Sequence, residues 1–116
     1  MANQIDKNSY DRAILHLDTN DGEITLAELK STNEATVVSA KIVEVFYEIV
    51  TSGSILIDRG GADALKITNP ASTPTLVGNI NYRQAGIVLR GDNTADIGVT
   101  LTGTGTRLTI VVHKTH

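Results

Sequence analysis

The chain has 116 residues, of which 41% are hydrophobic and 20% charged, with a formal net charge of -3, no cysteine and no tryptophan. This composition excludes disulfides and cysteine-based metal sites, and the scattered basic residues do not form the cationic surface that nucleic-acid binding requires. No run approaches the roughly 20 apolar residues of a membrane span, and the first residues lack the apolar core of a signal peptide, so we expect a soluble protein with no membrane or nucleic-acid partner.

The N-terminal part of the chain is polar and without pattern. Residues 1–9 are therefore predicted to be a flexible arm, and residues 10–116 a single domain. Residues 12–18 alternate apolar and polar side chains, which predicts a first strand that ends in the turn sequence TNDG. The following EITLAELK fits either a short strand or a helical turn, and we favour a helical turn over residues 26–30.

The longest predicted strand lies in TVVSAKIVEVFYEIVTSG, residues 36–53. Its apolar residues occupy even positions up to Ile42 and odd positions from Val43 onward. A strand has a period of two, so this change of phase indicates a β-bulge, a strand buried on both faces, or a strand that changes partners. On the second interpretation Val38, Ile42 and Phe46 form an apolar row that another molecule covers.

The rest of the chain repeats short alternating runs separated by turn sequences. Strands are predicted at residues 55–58, 64–68, 75–80, 85–90, 96–102 and 107–114. The turn TGTGT near residue 104 is predicted to be the tip of a hairpin that joins the last two strands. Such spacing is typical of an all-β sandwich.

We therefore predict a single all-β domain, a jelly-roll-like β-sandwich with at most one short helical turn. Its predicted core is Leu15, Leu17, Val43, Val45, Ile57, Ile67, Leu89, Val99, Leu101, Ile110 and Val112.

No grouping of residues in the sequence indicates catalysis. His113 and His116 point to opposite faces of a terminal strand, and His16 is expected to face outward rather than to bind a metal. DRGGAD and GTGTR lack the Lys-Ser/Thr and the helix of a phosphate-binding loop, and Arg59 and Arg107 are expected to face solvent or a partner. We expect no enzymatic activity and no cofactor.

Two acidic turns offer oxygen ligands. DTNDGE at residues 18–23 fails the EF-hand spacing, because its glycine is fifth and the twelfth residue is Leu29. GDNTAD at residues 91–96 has the same two interpretations, a structural ion or a plain turn, and we favour the turn in both.

A polar arm leading into YDRAILHL, the stretch EITLAELK, the long strand EATVVSAKIVEVFYEI and the terminal TRLTIVVHKTH together resemble the small decoration, or cement, proteins of tailed-bacteriophage capsids. The resemblance implies an all-β domain that binds the outside of the capsid as a dimer or trimer and spans neighbouring major capsid protein subunits. It also implies that the N-terminal arm reaches the shell.

The resulting expectation is a virion structural protein on the capsid surface, a homo-oligomer with a trimer favoured, whose partner is the major capsid protein. The residues expected to contact a partner are Ile5, Tyr10, Ile42 and Phe46. The alternatives are a phage neck, tail or fibre component, a carbohydrate-binding module, and an enzyme or enzyme subunit.

Overall fold

The computed structural model describes residues 4–6, 11–18, 23–30, 35–70 and 74–116. Over these residues the chain is mostly β, with two antiparallel sheets that enclose one core, so the predicted β-sandwich is confirmed. The strands are β1 (Gln4–Asp6), β2 (Arg12–Leu17), β3 (Ser39–Ile49), β4 (Ser54–Arg59), β5 (Ala62–Thr68), β6 (Leu76–Asn81), β7 (Ile97–Thr102) and β8 (Arg107–Thr115).

The two sheets have strand orders β1-β2-β8-β3-β6 and β5-β4-β7. The chain passes from the five-stranded to the three-stranded sheet between β3 and β4, returns between β5 and β6, passes over again between β6 and β7, and returns between β7 and β8. The end strands are β1 and β6 in the five-stranded sheet and β5 and β7 in the three-stranded sheet.

The core is built from the inward-facing residues of both sheets, with the alternation expected for half-buried strands. Most of the predicted core residues are buried, whereas Ile67 and Val99 are only partly buried. The largest fully buried side chains are Leu15, Leu17, Leu29, Ile42, Ile49, Ile55, Ile57, Ile97, Leu108, Ile110, Val45 and Val112.

The phase change in the long strand is a β-bulge. Ile42 pairs with Val112 and Glu44 pairs with Val111, so Val43 is an extra residue on β3 with no counterpart on β8. Ile42 and Val45 both point into the core as a result. The predicted apolar row of Val38, Ile42 and Phe46 is therefore wrong, because Ile42 is fully buried in the interior of the sandwich.

Part of the predicted arm belongs to the sheet. Residues 4–6 form the edge strand β1, which pairs with β2 so that Ile5 lies opposite Leu15. Ile5 is partly buried and packs against the core. Residues 1–3 and 7–10 of the predicted arm and its junction lie outside the described residues.

The predicted helical turn is confirmed as a 3-10 helix, Ala27–Leu29. Thr25 and Glu28 cap it reciprocally: the Thr25 N–H donates to Glu28 Oε1 over 3.0 Å, and the Glu28 N–H donates to Thr25 Oγ1 over 3.3 Å. The turn buries Leu29, and Ile24 just before it forms an isolated bridge with Ile97 of β7.

Two local predictions are wrong. Residues 85–90 form no strand: a second 3-10 helix, Arg83–Ala85, precedes a loop in which Ile87 is 57% exposed while Leu89 is buried. The segment at residues 103–106 is not a hairpin tip, because β7 and β8 belong to different sheets. It is a crossing between sheets, in which Gly103 has φ +98° and the buried Thr106 hydroxyl donates to the Thr102 carbonyl over 2.9 Å.

The prediction that Arg59 faces solvent or a partner is wrong, because the side chain is buried. It is 2% exposed, and its guanidinium donates to the carbonyl oxygens of Ala40 (2.9 Å), Asn93 (3.0 Å) and Ala95 (2.7 Å). Burial lowers the pKa of Arg59, and the charges of Asp92 and Asp96 oppose that change. The side chain therefore fastens the loop before β7 to the first residues of β3.

Candidate functional site

The outer face of the five-stranded sheet carries a row of side chains that the strand register brings together. His16 of β2 lies opposite Thr109 of β8, which lies opposite Phe46 of β3, which lies opposite Asn79 of β6. The His16 Nδ1 and Thr109 Oγ1 atoms are 3.3 Å apart. The row therefore places one aromatic ring between hydrogen-bonding side chains on the side of the sheet that faces away from the core.

A groove of about 560 Å³ follows this row. It is lined by His16, Leu17, Asp18, Phe46, Tyr47, Glu48, Val77, Gly78, Arg107, Leu108 and Thr109. Phe46 is 42% exposed. Val77 lies on β6 two residues before Asn79, the residue opposite Phe46, and is 70% exposed. Neighbouring exposed apolar side chains on an ordered sheet are a usual feature of a docking surface.

Two ion pairs border the apolar centre. Arg83 Nη2 lies 3.2 Å from Glu44 Oε1, and Arg107 donates to Glu48 from both Nε and Nη2, with the Nε bond at 2.9 Å. Glu44 also accepts from the Asn79 side chain over 3.2 Å. Each of these two carboxylates faces a guanidinium, so the two pairs carry no net charge, and Asp18 adds a further carboxylate to the lining of the groove. The part of the surface between the two pairs favours a partner that is apolar or close to neutral.

The predicted partner-binding residues differ in how far the structure exposes them. Phe46 is exposed and lines the groove, and its contact with a partner stays a prediction. The prediction that Ile42 contacts a partner is wrong, since its side chain is fully buried. Ile5 packs against the core, and Tyr10 lies outside the described residues.

Val77 was missed by the sequence interpretation, which considered only the long strand as a contact surface. The alternation of β6 contained the signal, because Val77 lies between the half-buried Leu76 and Gly78 and so had to point outward. Arg107 is exposed, as expected, and its partner Glu48 follows from the β3 and β8 register.

The acidic turn at residues 91–96 is held by hydrogen bonds within the protein. Asp92 accepts from the Thr94 hydroxyl over 2.6 Å and from the Thr94 N–H over 3.0 Å, and these bonds, with a smaller contribution from Arg59, lower the pKa of Asp92. Asp96 accepts from the Leu26 N–H over 3.2 Å. The positive charge of Arg59 lies close enough to act on both carboxylates. Residues 19–22 of the other acidic turn lie outside the described residues.

Within the described ranges, no three His, Cys, Asp or Glu side chains come close enough to share a metal ion. The helical segments of those ranges are too short and too polar to cross a membrane.

Comparison of the chain with models of known protein families, with curated protein sequences and with solved structures found no significant match.

Proposed function

We propose that this chain is a non-enzymatic virion structural protein, a capsid decoration or cement protein that binds the outer surface of a tailed-phage head. The observation that supports this most is the exposed pair Phe46 and Val77 on the outer face of the five-stranded sheet. The step from a docking face to a phage shell rests on the resemblance in sequence layout described above. The partner on this proposal is the major capsid protein.

The chemistry of the outer face suits a protein partner. Burial of a phenylalanine-sized side chain contributes about 1.5–3 kcal/mol, which is weak for one contact. A shell presents the same surface many times, so an oligomer that bridges neighbouring subunits multiplies the effect without a tight individual site. The compensated pairs Glu44–Arg83 and Glu48–Arg107 leave little net charge to oppose a close approach.

The test is attachment to heads of a tailed phage that encodes this chain, measured by sedimentation with purified particles. Phe46→Asp should abolish co-sedimentation, because it places a charge at the centre of the contact. Val38→Asp is the matched control: Val38 is also exposed, at 52%, but lies before the start of β3 and outside the groove. It should bind like the natural chain. Equal binding by both variants, with unchanged melting temperatures, would contradict the proposal.

A second candidate function is carbohydrate binding, favoured by the groove itself. The Phe46 ring offers a stacking surface, and His16, Thr109 and Glu48 offer hydrogen bonds at its sides. Titration calorimetry with a panel of oligosaccharides separates the two candidates, because a glycan site binds a free sugar and loses that binding in Phe46→Ala.

Electron microscopy of labelled particles separates a head location from a neck, tail or fibre location.

A further inference from the structure

Strand β6 is an open sheet edge. In the described part of the chain β6 pairs with β3 on one side, and no strand lies on its other side. The Tyr82 N–H donates to the Val43 carbonyl over 2.9 Å, and hydrogen-bonded pairs alternate along an antiparallel ladder. Leu76, Gly78 and Ile80 therefore bond to β3, while the backbone groups of Val77, Asn79 and Asn81 point away from the sheet.

Within the described residues the other three edge strands each carry a feature that resists pairing, and β6 does not. The first residue of β7, Ile97, is already bonded through its backbone to Ile24 on the outer side of that strand. β1 has only three residues, and short edges resist pairing. β5 carries the charges of Asp63 and Lys66, and its register with β4 shifts between Ile57 and Asp58. The six residues of β6, LVGNIN, contain no charge and no proline. Natural sheets rarely leave such an edge uncovered.

We propose that β6 pairs with β6 of a second copy of this chain, antiparallel about a two-fold axis at Asn79. In this register Asn79 faces its own equivalent, and Val77 faces Asn81 of the second copy. The three residues with outward backbone groups on each strand then find partners, two hydrogen bonds for each opposed pair. No like charges meet, because β6 has none.

The side chains on the inner side of β6 favour the same occupant. Leu76 and Ile80 are only partly buried. In the two-fold register Ile80 stands beside Gly78 of the second copy, and Leu76 stands beside its Tyr82. In this register Ile80 meets a glycine and Leu76 meets a tyrosine ring, and the same contacts repeat on both sides of the two-fold axis, as a self-complementary interface requires.

This inference goes beyond the proposed capsid function and concerns the backbone edge of β6 rather than the face of the sheet, although the Val77 side chain belongs to both surfaces. It also differs from the trimer favoured by the sequence, because a two-fold contact closes after two copies. The expected mass is that of a dimer, twice the 12.3 kDa of the chain.

Analytical ultracentrifugation of the free protein over a concentration series is the test. Val77→Lys puts a charge on the edge. Asn79→Pro removes a backbone N–H that makes no bond to β3, together with the side-chain bonds to Glu44 and to the Val45 carbonyl. Each should weaken dimerisation by at least about tenfold. Val38→Lys makes the same substitution at another exposed valine and should remain dimeric. Circular dichroism establishes that each variant is folded.

Amide hydrogen exchange gives a second readout on the natural chain. The N–H groups of Val77, Asn79 and Asn81 should exchange slowly at high concentration and quickly on dilution. Those of Gly78 and Ile80 should stay protected throughout, since they bond to β3. A monomer at high concentration, a trimer, a dimer that survives Val77→Lys or Asn79→Pro, or a dimer lost in Val38→Lys would each overturn the proposal.

Discussion

Arg59 Nη1 donates a 2.9 Å hydrogen bond to the carbonyl oxygen of Ala40, and this bond joins the end of β4 in one sheet to the beginning of β3 in the other. The same guanidinium holds the carbonyl oxygens of Asn93 and Ala95, so one side chain fixes both sheets and the loop between β6 and β7. A buried arginine is tolerated here because carbonyl oxygens replace the water that it loses.

Arg59→Ala should destabilise the fold by about 3–5 kcal/mol, because three carbonyl oxygens lose a charged donor. Arg107→Ala is the control: it removes an exposed ion pair with Glu48 and should cost about 0–1 kcal/mol. Urea unfolding of the two variants measures the difference. Similar losses for both would mean that the hydrogen bonds of Arg59 contribute little.

Asp92 should make stability depend on acid pH. Its pKa is lowered in the folded state, chiefly by hydrogen bonds from Thr94, so its contribution is present above the unfolded pKa of about 3.9 and is lost as the pH falls through the lower folded value. Melting temperatures of the natural chain and of Asp92→Asn should therefore differ at pH 7 and converge toward pH 2–3. A constant difference over this range would assign the effect to something other than the ionisation of Asp92.

Gly78 and Tyr47 should be energetically coupled. A Cβ added at Gly78 would overlap the Tyr47 ring, which lies across the β3–β6 pair, so Gly78→Ala should cost about 1–3 kcal/mol. In a background of Tyr47→Val the same substitution should cost little, because the overlapping ring atoms are gone. A double-mutant cycle by thermal unfolding measures this coupling. Additive losses would show that the ring moves aside freely.

Asn69 should tolerate Ala better than Asp. Its side chain is fully buried, and Nδ2 donates to the carbonyl oxygens of Ile49 and Pro74, each over 2.9 Å. Asn69→Ala removes two hydrogen bonds, at about 1–3 kcal/mol. Asn69→Asp instead presents a carboxylate to two carbonyl oxygens, and the repulsion adds to the loss. Chemical unfolding at pH 7 should rank Asp below Ala, and the reverse order would contradict this geometry.

The strands could be predicted because the alternation of apolar and polar side chains is visible within each short segment of the sequence. Arg12–Leu17 and Arg107–Thr115 lie close to their predicted bounds for this reason. The 3-10 helix could be predicted because residues 27–30, AELK, are consecutive helix-forming residues within one short segment. Alternation does not say which strands pair, however, so the predicted hairpin at residues 103–106 was wrong.

The wrongly predicted strand at residues 85–90 shows that two apolar residues two positions apart are not enough to predict a strand. Leu89 does donate to β3, through its N–H to the Ile42 carbonyl over 2.8 Å, but it makes this bond from a loop. Ile87 is exposed, and its N–H bonds back to the Tyr82 carbonyl within the turn. The burial of Arg59 was equally invisible, because its acceptors lie far away in the sequence.

The candidate site was only partly predictable. The outward position of Phe46 follows from the even-numbered phase of β3 between Glu44 and Glu48. The burial of Ile42 required knowledge of the bulge, which depends on the pairing with β8 rather than on β3 alone. Val77 joins Phe46 only through the β3–β6 register, which no local pattern specifies.

The position of β8 constrains how the domain folds. This strand lies between β2 and β3, although about ninety residues of chain separate it from β2. During synthesis on the ribosome β2 and β3 emerge before β8, the strand that pairs with both of them. The β4–β5 hairpin can form at that stage. The five-stranded sheet can close only after β8 has emerged, so folding should be slow and late, and the apolar faces of β2 and β3 are exposed to aggregation until then.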